Sequence, residues 1–398
     1  MAYVAIKISQ YEFQVRSESL LEHLRDNKYS GVVLFDNDYV QYYTGFAFIP
    51  TERPIAFIMN TDGEKALFVP RLEVEHAKSN ATIDRVSYYL EYPYTPHPME
   101  KFSDELKTMG IRGQYCADND GYPWILGYRG ESLSEMLGDK PANVAGFIED
   151  QMMIKSQAEL DLIRESVKWG HLAHVLLQRY TQVGVTETEV SLRASMEATL
   201  TMMDTIGPLY RAQSPFSRGP SAGYRGQIGR NAAIPHALAN NISFQAGDVL
   251  VTGAGAPVWG YHSELERTMI VGPASEEQKQ LFDHMLALQD AAFNAMLPGI
   301  PCSAVDEAVR GYYEEHDLMS HWKHHVGHAI GLRYHEGPFL DIGDITVMQP
   351  GMVFTVEPGL YVPELGGFRH SDTVAITEEG IEIMTYYPRD LDSLTIPI

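Results

Sequence analysis

Cysteine is nearly absent: two residues, Cys116 and Cys302, lie far apart in a chain of 398. That excludes a multi-disulfide secreted scaffold and makes a reducing compartment the default. Basic charge is scarce as well. Lysine and arginine total 30 against 53 acids, a formal net charge of −23, and a surface that negative repels nucleic-acid phosphates and anionic lipid. No apolar run reaches the ~18 residues that a membrane helix requires. The opening MAYVAIKISQYEF lacks the basic start and apolar stretch of a signal peptide. No low-complexity segment or obvious flexible linker interrupts the chain. These absences predict a cytoplasmic protein that engages neither nucleic acid nor membrane. With 44% hydrophobic residues the chain has the means to bury a large core, and its length suits two domains.

Residues 1–150 alternate short apolar runs with helical patterns. GVVLF at 31–35, IAFIM at 55–59 and ALFV at 66–69 read as buried strands, and segments near 17–27, 72–79 and 100–109 as helices. Such alternation predicts an α/β domain. Residues 151–398 read differently. Ser156 and Glu159 form a capping box before a long amphipathic run, Thr186-Glu-Thr-Glu189 caps a second helix, and glycine-bearing strands follow to about residue 270. The pattern then restarts, with Ser275 and Gln278 capping one helix, Ser303 opening another, and strands from about 324 to the end. The expectation is an internally duplicated α+β domain with a site between its halves.

Chemistry concentrates in three places. Five of the 15 histidines, His321, His324, His325, His328 and His335, fall in HWKHHVGHAIGLRYH. Several imidazoles together either bind something or move protons, but the glycines at 327 and 331 leave strand, loop and helix open, so the spacing alone establishes no metal site. Glu264 and Glu266 stand two apart in GYHSELERTMIVG, on the same face if the segment is a strand. Glu357 sits in the apolar run VFTVEPGLYV, where a carboxylate is costly to bury unless paired or bound to a metal or cationic ligand.

The ordered motifs NAAIPH (231–236), GDVLVTGAG (247–255), GYHSELERT (260–268), HHVGHAIGLRYHEGP (324–338), VEPGLY (356–361) and GGFRHSDTVAIT (366–377) resemble the pita-bread family. That family includes aminopeptidase P, prolidase, methionine aminopeptidase and creatinase. YYTGF and the following Arg53-Pro54 are similar to its creatinase-type N-terminal domain. The resemblance implies that the metallopeptidases' two-metal ligand set, Asp, Asp, His, Glu and Glu, falls here on Gly253, Glu264, His328, Glu357 and Ser371. Glycine offers no ligand atom and serine is a poor bridge, so the expectation is no metal and no cofactor, with room left for a single metal on His328, Glu264 and Glu357. His236 and His335 match active-site histidines of the family, and His324 a structural one.

Glu266 stands where the family motif has threonine. Three carboxylates without their metals suit a delocalised organic cation, an amidinium or guanidinium. Within the family the whole pattern is most similar to hydrolases of the cyclic amidine ectoine. That resemblance implies a small-molecule substrate, Glu266, His236, His328 and Glu357 as catalytic groups, and Glu264, His335, Arg333 and Arg53 as substrate-binding groups. It also implies a homodimer in which one chain's N-terminal domain closes the partner's cleft, and a downstream deacetylase that consumes the product. The alternatives are a creatinase-like amidinohydrolase and a prolidase- or aminopeptidase P-like metallopeptidase.

Overall fold

A computed structural model describes residues 6–398 and divides into two compact units, Ile8–Met152 and Met153–Ile398. In the first, the strands β1 (Gly31–Leu34), β2 (Ala56–Asn60), β3 (Lys65–Pro70), β4 (Arg85–Tyr89), β5 (Cys116–Ala117) and β6 (Ala142–Asn143) form one mixed sheet ordered β4-β3-β2-β1-β5-β6. The three apolar runs read as strands are β1, β2 and β3, buried almost throughout. Helices cover Gln10–Asp26, Val74–Asn80 and Pro98–Thr108. The first begins well ahead of the expected 17–27, because Ser9 caps it by accepting from the Glu12 N–H.

The larger unit carries β7 (Ser221–Gly223), β8 (Val249–Val251), β9 (Gly253–Gly255), β10 (Leu265–Glu266), β11 (Thr268–Val271), β12 (Gly327–Ala329), β13 (Glu336–Leu340), β14 (Val353–Val356), β15 (Gly359–Val362), β16 (Gly366–Arg369), β17 (Ser371–Ile376) and β18 (Ile381–Ile383). Its main sheet runs β13-β12-β14-β17-β10-β9-β7, with β18 beside β17. The helices Gln157–Tyr180 and Glu187–Ile206 pack on β7 or β9, and Glu276–Ala295 and Cys302–Glu315 on β14 or β13. A helix pair followed by strands therefore occurs twice, and the fold is α+β.

The capping boxes at Ser156 and Ser275 are present, and the Thr186 side chain accepts from Glu189. Ser303 is a correction. It lies inside the helix Cys302–Glu315, whose N-cap is Pro301. The first amides there donate to main chain instead, Cys302 to the Thr346 carbonyl (2.9 Å) and Ser303 to that of Asp344 (2.8 Å), so no hydroxyl cap is needed. Among the described residues no helix is long and apolar enough to cross a membrane.

Candidate active site

The site is a matter of strand register. β10 pairs with β17 so that Glu266 faces Ser371, and with β9 so that Leu265 faces Ala254, which puts Gly253 directly across from Glu266. The pleat sends Glu264 and Glu266 to one side of the sheet while Leu265 joins the core. Arg267 goes the other way and is fully buried. Its guanidinium donates to Asp372 Oδ1 (2.7 Å) and to the carbonyls of Glu266, Ser371, Tyr387 and Pro388 at 2.7–3.1 Å, which is what makes a buried cation tolerable. Its carboxylate partner is thus Asp372 and not Glu266.

Glu266 is held from two sides. Oε1 accepts from Arg225 Nη2 at 2.7 Å and Oε2 from Arg369 Nε at 2.5 Å. Arg369 also lies 3.7 Å from Glu357 Oε2 and donates to the Tyr361 hydroxyl, which in turn meets His324 Nε2 at 2.6 Å. Glu264 Oε1 accepts from the Ser371 hydroxyl at 2.7 Å. Glu357 stands just past β14, in the break before β15, rather than within a strand as its apolar flanks suggest.

His328 is on β12, positioned by its main chain. A Cβ at Gly327 would stand 2.1 Å from the Thr355 carbonyl, so only glycine lets β12 approach β14 this closely. The Thr355 hydroxyl then accepts from the His328 N–H (3.1 Å). The ring contacts the Ala329 carbonyl through Nδ1 (2.9 Å) and stacks on His335 at 3.8 Å. Its Nε2 is buried and meets Glu357 Oε1 at 3.4 Å, an ion-pair contact rather than a hydrogen bond.

These neighbours set the protonation. Burial, then the charges of Glu357 and Glu266, pushes the Glu264 carboxyl up to about 8. Burial works against a charged His328, but the Glu357 and Glu264 carboxylates outweigh it and raise the imidazole to about 9. Burial likewise opposes ionisation of Glu357, yet His328 and Arg369 hold it well below the usual carboxylate range. At neutral pH the cluster therefore stores protons on Glu264 and His328. A pH dependence of stability follows. The unfolded chain releases the Glu264 proton near ~4.3, while the folded chain keeps it to about 8. Between those values the folded state binds more protons, so raising the pH costs stability. Melting curves should show wild type losing ground to Glu264→Gln from pH 5 to pH 8; parallel curves would refute this.

A cavity of about 390 Å³ opens beside the cluster, walled by Arg225, Gly253, Gly255, His262, Glu266 and Tyr334. It is of small-ligand size. A larger one, about 720 Å³, lies near Gln178, Val183 and Ile398 and touches none of the clustered residues.

The metallopeptidase family M24 profile matches residues 161–378, and that of the creatinase/prolidase N-terminal domain residues 16–122. The Xaa-Pro dipeptidase of Pyrococcus horikoshii is 30% identical over 381 residues, covering 94% of this chain and 97% of its own. The chain belongs to metallopeptidase family M24. The Pyrococcus furiosus Xaa-Pro dipeptidase is 29% identical, over 94% of this chain and 99% of its own. The crystal structure of the P. horikoshii prolidase superposes with a TM-score of 0.80 at 26% identity, over 95% of this chain and 99% of that one. Dipeptidase PepE from Mycobacterium ulcerans, at 23% identity, covering 98% of this chain and 100% of its own, shares the fold with a TM-score of 0.81.

At the positions that the resemblance assigns to the two metals' ligands, the residues present do not fit a two-metal centre. Gly253 has no donor, the Ser371 hydroxyl is spent on Glu264, and Asp372 is turned to Arg267. A single cation does fit: ligand atoms of Glu264, His328 and Glu357 lie within 4.8 Å of one another. There it would supply Lewis acidity or a more acidic bound water.

Of the residues expected at the site, Glu264, Glu266, His328, His335 and Glu357 come together. His236 is exposed, on the turn after Gly229–Ala233, though its charge still reaches His335. Arg333 is half-buried, its N–H given to Glu336. Arg53 belongs to the N-terminal unit and is engaged by Glu52 and Glu91. The expected surplus of carboxylates is absent, because Arg225, Arg369 and His328 face them. Arg369 had a signal, since it lies two before Ser371 in GGFRHSD. Arg225, in SAGYRGQ, had none.

Proposed function

We propose that the chain hydrolyses a cyclic amidine, ectoine or its hydroxylated form, opening the ring to N-acetyl-2,4-diaminobutyrate or its hydroxylated counterpart without a two-metal centre. The observation that supports this best is Glu266 across from Gly253. Where M24 peptidases place a metal-ligand carboxylate, this chain leaves space, and into that space faces a carboxylate oriented by two guanidinium groups. A resonance-stabilised amidinium resists water, so its carbon needs either direct attack by Glu266 or a water that Glu266 activates. The new C–O bond makes a tetrahedral carbon. With water as nucleophile, it collapses to the acetamide as one ring C–N bond breaks. With Glu266 as nucleophile, the same collapse leaves an imidate ester on Glu266, which water then hydrolyses to the acetamide, freeing the carboxylate. The departing nitrogen needs a proton, and Glu264 and His328 both hold one at neutral pH. His335, lowered by burial and by His328, is a neutral neighbour against which the imidazolium stacks. The reading carries with it a cytoplasmic homodimer and a deacetylase that takes the product onward.

A second reading, a prolidase-like metallopeptidase, is favoured by the names of the relatives and would rest on the single-cation triplet. Two measurements separate them. The protein should form N-acetyl-2,4-diaminobutyrate from ectoine, with no proline from Xaa-Pro dipeptides and no urea from creatine. Exhaustive chelation should leave that activity intact. Loss on chelation with recovery on adding manganese, iron or zinc would overturn the metal-free reading in favour of the second.

A further inference from the structure

We infer that Arg225 is the site's carboxylate receptor, binding an anionic group of the substrate through guanidinium N–H groups that Glu266 leaves free. The inference rests on the amidine reading above, in which one small molecule carries both an amidinium and a carboxylate.

Three observations carry it. Both hydrogen bonds of the Arg225 guanidinium leave from Nη2, to Glu266 (2.7 Å) and to Gln227 Oε1 (3.3 Å). Nε and Nη1 thus have no protein acceptor among the described residues. They point where a ligand can reach them, since the side chain is 49% exposed on the cavity wall and Nε lies 4.0 Å from where a Cβ on Gly253 would be. The two lie on different edges of the guanidinium, so each offers a single charge-assisted N–H to an anionic oxygen.

The main chain holds the side chain there at a cost. Arg225 has φ 52°, a left-handed conformation that a residue with a Cβ adopts only when its surroundings enforce it. They do. The Gly226 N–H donates to buried Glu187 (2.7 Å), and Tyr224 is fully buried and bonded to Thr181. A Cβ on Gly226 would stand 2.1 Å from the Leu238 carbonyl. The turn is rigid on both sides of a half-exposed arginine.

Charge completes the argument. Among the described residues Arg225 is the only arginine or lysine lining this cavity. Arg53 is taken by two carboxylates, so it offers no equivalent donor. A carboxylate on Arg225 would also share the guanidinium with Glu266, fixing the distance between the substrate's anionic end and the attacking group.

The test compares two substrates, the carboxylated cyclic amidine and the same ring without its carboxylate, on wild type, Arg225→Gln and Arg225→Lys, with melting curves to confirm folding. Every variant loosens Glu266, so kcat falls for both rings; the ratio of their kcat/KM values isolates the carboxylate. Wild type should prefer the carboxylated ring by about thirtyfold, the strength of a charge-assisted pair. Arg225→Gln should erase that preference, and Arg225→Lys should restore part of it. Wild type showing no preference, or an undiminished preference in Arg225→Gln, overturns the subsite while leaving amidine hydrolysis standing. Wild type turning over neither ring overturns the amidine reading itself, and the subsite with it.

Discussion

Glu266→Gln is expected to reduce amidine turnover by about a hundredfold or more, the usual weight of a nucleophile or general base. The amide keeps the size of the side chain and loses its charge. It also turns an N–H donor toward one of two guanidinium groups that now each meet an acceptor, at 2.7 Å for Arg225 and 2.5 Å for Arg369. Arg225 is half-exposed and can turn to solvent. Arg369 is buried, and although Glu357 lies 3.7 Å away, losing its closest partner should lower stability as well. Breaking a buried pair costs about 3–5 kcal/mol when the charge is left alone, and Glu357 should keep the loss below that. Turnover must therefore be read below the melting transition of the variant, with ectoine binding measured separately and expected to persist. If Glu266 attacks directly, quenched wild-type enzyme should carry a mass increase matching the substrate. A variant retaining a tenth of wild-type turnover would sink both roles of Glu266 together.

Gly253→Asp should be nearly as damaging, for the opposite reason. It adds a carboxylate at the position that the proposed function reads as a lost metal ligand. The backbone accepts it, because Gly253 is not left-handed and a Cβ there meets Glu266 Oε1 at 3.5 Å and Arg225 Nε at 4.0 Å, ordinary contacts. The variant should fold and melt close to wild type. Its new carboxylate, however, would stand beside Glu266, compete for Arg225 and fill the cavity floor. Amidine turnover is expected to fall by about a hundredfold. Wild-type activity in this variant would mean that the space at 253 is not where the substrate sits, and the proposed function would lose its main support.

What the sequence discloses here, and what it hides, divides along a physical line. Glu264 and Glu266 are legible because a period of two puts both on one face, and Glu357 because a carboxylate among apolar residues demands a partner. The repeat of helix pair and strands is legible from its hydroxyl caps, except at Ser303, where main-chain carbonyls do the capping. Charge compensation is not legible in the same way. Arg225 lies 41 residues before Glu266 and Arg369 lies 103 after it, and no local pattern links them. Hence the carboxylates look unneutralised in the sequence and are not so in the fold. The substrate's anionic end suffers likewise: Arg53 and Arg333 stand near motifs, whereas Arg225 reaches the cavity only through a left-handed turn that the residue types do not announce.

The alternation at Glu266 and Arg267 has a consequence for how the molecule fails. One residue faces the cleft and the next is sealed behind the sheet, tied to Asp372 and to the carbonyls of Tyr387 and Pro388. A strand slipped by one position would drive a cation into the cleft and a carboxylate into the apolar interior, with every partner of each on the wrong side. No half-formed version of this strand can be a weaker catalyst. Heat, denaturant or a remote destabilising substitution should therefore thin the population of working molecules and leave the Michaelis constant of the survivors unchanged, so that damage shows as a smaller head-count rather than a poorer enzyme.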